Sequence, residues 1–137
     1  METTLLLANS AEGHAQNGMV NALGLGWSVT GTPTPPAALV LMVKVPWDQT
    51  NVQHQVVLVL VDQDGHPASI NEQGGNIRID GSFEAGRPTG IIPGTPIDAS
   101  LVINLTPGML LTPGAAYQWR VEIDGEVVAS RSFQVRR

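Results

Sequence analysis

The residues best equipped for chemistry are three histidines, a few carboxylates and scattered serines, and their spacing decides what they could do. A metal site built from His14, His54 and His66 would need loops to converge, because none has the short paired spacing of a metal-binding helix or hairpin. All three lie in polar turn contexts (GHAQNG, NVQHQ, DGHP) and read as exposed loop histidines. Asp48, Asp62 and Asp64 could gather around a cation, and DQDG has the look of a calcium loop. Such a loop needs further oxygen ligands and a closing acid, and Glu72 is out of register for that role. Asp-x-Asp-Gly at a strand end is turn chemistry. Glu84, Glu122 and Asp124 might pair as acid and base for glycoside hydrolysis, but that calls for an aromatic-lined cleft. The chain holds only three Trp, two Phe and one Tyr. None of Ser10, Ser28, Ser69, Ser82, Ser100, Ser130 and Ser132 sits in a Gly-x-Ser-x-Gly elbow. With no cysteine, a disulfide framework, a thiolate zinc site and a cysteine nucleophile are all excluded. The reading is non-catalytic, with no cofactor.

The elements that would position these groups are strands. From Tyr117 to Ile123 apolar residues alternate with Gln118, Arg120 and Glu122, the period of a half-buried strand. Asp124-Gly125 follows and signals a tight hairpin, with Phe133 and Val135 on one face of the return strand. Further strands are expected over Thr3–Ala8, Met19–Thr30, Ala37–Val45, Gln55–Val61, Asn76–Ala85 and Ile97–Leu105. Asn17-Gly18 reads as a second hairpin turn, residues 71–75 as loop, and Gly24 and Gly26 as a bulge or a tight crossing. The TPTPP run, Thr32–Pro36, cannot pair within a central sheet and reads as a crossover. The expected fold is all-β: an immunoglobulin-like antiparallel β-sandwich of about eight or nine strands in one domain, 1–137. Tyr117, just after the Pro113-Gly114 turn, is placed as in a tyrosine corner.

At 137 residues such a domain buries roughly 68 % of its unfolded surface without staples. Charged residues make up 14 %, against about 25 % on average, so the surface is poor in charge. Net charge is −5, and the seven Lys and Arg form no basic stripe, which disfavours nucleic acid. The N-terminal apolar run follows Glu2, and no Lys or Arg precedes Lys44, unlike a signal peptide. No stretch approaches the ~18 apolar residues of a membrane span. A soluble cytoplasmic protein is expected.

LLLA near the start, NG followed by LGLGW, then VPWD, DQDG, GRPTG and YQWRVEIDGE together resemble a family of short bacterial all-β proteins of unknown function. The resemblance covers most of the chain and implies an all-β domain, with no activity, cofactor or catalytic residue to carry over.

Val56–Val61 is apolar on both faces, although an antiparallel sheet normally turns one face to water. The outer face should therefore be covered. The first expectation is a module that self-associates, or joins another protein subunit, through Val40, Met42, Val56, Leu58 and Leu60, with Ile91 and Ile92 of the 86–96 loop as further contacts. The alternative is a small-molecule or carbohydrate-binding domain using Trp27, Trp47 and Arg87.

Overall fold

Strands form where the sequence alternates, and Gly- and Pro-rich stretches separate them. The computed structural model describes residues 1–14, 18–68 and 77–137. In chain order the strands are β1 (Glu2–Ala8), β2 (Ser10–Gly13), β3 (Val20–Leu23), β4 (Val29–Thr30), β5 (Ala37–Val45), β6 (Gln53–Asp62), β7 (Arg78–Glu84), β8 (Ile97–Leu105), β9 (Ala116–Ile123) and β10 (Glu126–Val135). A 3-10 turn, Trp47–Gln49, links β5 to β6. The protein is an all-β sandwich. One sheet has the order β1-β5-β8, the other β4-β10-β9-β6-β7, and β2-β3 forms a separate ribbon. All pairings are antiparallel except the short β4–β10 contact.

The core fills the space between the two sheets. Leu5, Leu7, Leu39, Leu41, Val43 and Val45 meet Val56, Leu58, Leu60, Trp119, Val121, Ile123 and Phe133. Trp119 is 1 % exposed. Each such side chain contributes roughly 1.5–3 kcal/mol of transfer free energy. The closing hairpin turns on Asp124 and Gly125 with φ of 50° and 86°, the two positive angles of a type I′ turn. The Tyr117 hydroxyl accepts the Thr112 N–H at 2.9 Å, which completes the tyrosine corner. The Pro-rich segment after β4 crosses from one sheet to the other. It is held there by Thr34, which bonds Gly108 and Met109, and by the Thr32 hydroxyl, which accepts the Leu111 N–H.

Three expectations change. The described residues hold ten strands, because Met19–Thr30 is broken and residues 10–13 pair. Of the two readings of the glycines the bulge fails, since they follow the end of β3, and the tight crossing holds. Gly24 has φ +63° and a Cβ there would collide with the Asn9 side chain, and the Gly26 N–H reaches the Leu7 carbonyl at 2.6 Å. Gly18 does sit in the β2–β3 turn, its N–H on the His14 carbonyl; Asn17 and the 71–75 loop lie outside the described residues.

The third change concerns β6. Val56, Leu58 and Leu60 point into the sandwich and are 0–2 % exposed, so they are core and not interface. The opposite face carries Val57 and Val59, which are half-buried. Val57 lies between Asp80 and Glu122, and Val59 between Arg78 and Arg120. Of these, Arg78, Arg120 and Glu122 carry methylene stems of the kind that cover apolar surface beside them. Val40 is likewise buried, packed with Ala8 and Ala38 beneath Ala11, Val20 and Ala22 of the β2–β3 ribbon. Met42, further along the same face, stays 46 % exposed.

Candidate functional site

The Trp47 corner is built by the 3-10 turn. The Thr50 hydroxyl donates to the Trp47 carbonyl at 2.7 Å and fixes the turn. Arg87, from the loop after β7, lays its guanidinium over the indole at 3.9 Å from the ring centroid. It also donates to the Trp47 carbonyl at 2.8 Å and to the Thr50 hydroxyl at 2.7 Å. Trp47 and Arg87 thus come together as expected, but they satisfy each other: one indole face already holds a cation. Trp27 is not part of this corner. Its indole N–H donates to the Ala8 carbonyl and its ring meets Phe133 edge-to-face, near the start of β5, whereas Trp47 follows the end of that strand. Ile91 packs against the core, and Ile92 is 71 % exposed.

The histidine expectation fails at His54, which is 5 % exposed. Its Nδ1 lies 2.6 Å from Asp124 Oδ2 and its Nε2 lies 2.8 Å from the Gln49 carbonyl. Both partners accept, so the two contacts are both hydrogen bonds only in the doubly protonated, imidazolium form of the ring. Burial works against that charge, but the Gln49 carbonyl and the Asp124 carboxylate outweigh it, raising the pKa above its ordinary 6.5. The His54 hydrogen bond and the Gln55 N–H hold Asp124 below its ordinary 3.8. The sequence did carry a signal, since His54 is in phase with Val56, Leu58 and Leu60. This pair resembles part of a catalytic relay, but Nε2 is already used and has no capacity left to take a proton from a nucleophile.

Asp62, Asp64 and His66 offer ligand atoms within 4.8 Å of one another, while Asp48 sits in the 3-10 turn beyond the other end of β6. The Asp62 carboxylate accepts the Asp64 and His66 N–H groups at 2.9 and 3.0 Å, as a turn requires. His14 pairs with Asn21 within the ribbon.

Sheet edges form the remaining class of site. An unpaired strand edge is a template for another strand unless it is shortened, charged or covered. On β1 the carbonyls of Leu5, Leu7 and Ala8 accept from Arg131 Nε, the Gly26 N–H and Trp27 Nε1, so that edge is capped. β4 is two residues long. β7 is lined with Arg78, Asp80 and Glu84, the first two ion-paired at 3.2 Å. The nine residues of β8 pair with β5 alone; the Ser100 hydroxyl donates to the Gly18 carbonyl, but among the described residues no hydrogen bond reaches the backbone of the far rim. Its inward Leu101, Ile103 and Leu105 are only half-buried. An open groove of about 1030 Å³ lies along it, bordered by Ala11–His14 of the β2 segment and by Glu84–Pro88. Sequence periodicity located β8 but could not show which of its edges would stay unpaired.

The chain belongs to a family of unknown function, DUF6941, whose model matches residues 3–136. No curated protein and no solved structure matches it. No helix among the described residues is long and apolar enough to cross a membrane.

Proposed function

We propose that this protein is a non-catalytic β-sandwich interaction module that self-associates. The observation that carries the reading is the open rim of β8, the one long edge of the two main sheets left without caps or a charged fringe among the described residues. Natural sandwiches protect such edges, and this chain protects its others. The interface residues expected from β6 are replaced by the half-buried apolar residues of β8. Met42 and Ile92 remain exposed contacts at their own positions. Support for a non-catalytic role comes from His54, both of whose ring nitrogens face structural partners, and from Asp62, whose Oδ1 accepts two N–H groups of its own turn. Carbohydrate stacking on Trp47 is the weaker alternative, because Arg87 occupies one ring face.

Light scattering from low to high micromolar concentration tests the reading. Mass should rise with concentration to a defined oligomer. A monomer throughout that range overturns it.

A further inference from the structure

We propose that β8 pairs antiparallel with β8 of a second copy, about a twofold axis through Leu101, joining two three-stranded sheets into one continuous sheet of six. This rests on the self-association reading and names its surface. A closed twofold contact is self-complementary: residue i meets j, and j meets i.

The sequence of β8 meets that condition. Centred on Leu101, the register places Ile97 opposite Leu105, Ala99 opposite Ile103, and Leu101 opposite itself. All five of these residues lie on the inward face of the strand. Leu101, Ile103 and Leu105 are half-exposed in the single chain because nothing flanks them there. A neighbouring strand about 4.8 Å away would cover them. On the other face Asp98 falls opposite Asn104 and Ser100 opposite Val102. Asp98 is the only charge in the strand, and this register keeps the two copies of it apart. That matters for a chain of net charge −5. Within its own sheet Asp98 is paired with Lys44 at 3.3 Å, so it does not oppose the approach of an uncharged neighbour.

The chain's lack of cysteine makes the register directly readable. Directly opposed antiparallel residues have Cα atoms about 4.5–5.5 Å apart, within disulfide range. Leu101→Cys should crosslink to itself on mild oxidation. Ser100→Cys and Val102→Cys should crosslink with each other when mixed, and poorly alone. Asn104 is exposed, so its variants should fold normally. Asn104→Asp creates two Asp–Asp oppositions and should weaken the dimer roughly two- to thirtyfold, with recovery in salt; Asn104→Lys should tighten it. If the protein is monomeric at every concentration, self-association and this pairing both fall. If it forms oligomers that Leu101→Cys does not crosslink and Asn104 substitutions do not affect, the β8 register is wrong and self-association stands.

Discussion

Asp124→Asn isolates the charge of the His54 pair with little other change. Asn tolerates the positive φ of position 124, keeps an oxygen for the Gln55 N–H, and preserves the I′ turn. What it removes is the carboxylate 2.6 Å from Nδ1. Hydrogen bonds to charged groups contribute about 1.5–3 kcal/mol, and the Asp124 side chain is 47 % exposed, so solvent screening reduces that to about 1–2 kcal/mol. The pH dependence has a definite sign. The folded-state pKa of His54 is raised, so its stabilisation is complete below 6.5 and is lost as pH climbs through the higher folded value. The folded-state pKa of Asp124 is lowered, so its stabilisation is present above 3.8 and lost as pH falls through the lower folded value. Stability should therefore be greatest in the interval between those two ordinary values. Urea unfolding, followed by tryptophan fluorescence across that interval and up to alkaline pH, measures both proteins. The gap between them should be largest in the acid range and shrink to a few tenths of a kcal/mol once His54 is neutral. Parallel profiles with a constant gap would show that His54 is not an imidazolium in the folded protein, and the argument from its two acceptors would fail.

Two shorter tests follow. Tyr117→Phe leaves the Thr112 N–H without its acceptor and should cost about 1–2 kcal/mol in urea unfolding with no change in m-value; an unchanged midpoint would mean that the corner is not stabilising. Arg131→Ala uncaps the Leu5 carbonyl on β1 and should create a second open edge, seen by light scattering as species larger than the wild-type oligomer; an unaltered mass would show that the arginine does not guard that edge.

Much of the fold was legible because period-two alternation and turn chemistry are local signals. Asp124-Gly125 marked the hairpin, and Tyr117 after Pro113-Gly114 marked the corner. The tertiary choices were not local. Val56–Val61 is apolar on both sides, so alternation could not say which side faces the core. The deciding information lies in Arg78, Asp80, Arg120 and Glu122, which arrive from strands distant in sequence. The burial of His54 is hidden for a related reason: its neighbours are polar, but its partners Gln49 and Asp124 complete its hydrogen bonding only after the strands pair. The Trp47–Arg87 contact is partly legible, since both residues stand out in the sequence as candidate ligand contacts. Their stacking on each other, which closes one ring face to a ligand, depends on the path of the loop after β7.

The place of β10 has a consequence for how the protein is made. This strand pairs with β9 on one side and with β4, about a hundred residues earlier, on the other; its Arg131 also reaches Leu5 of β1. The five-stranded sheet is therefore incomplete, and the β1 rim uncapped, until residues 126–135 have left the ribosome. Until then Val29–Thr30 has no strand to join, and the apolar faces of β1, β5 and β6 await one wall of their core. Closure therefore waits for β10, and until that strand arrives more than one strand edge is open to misplaced partners.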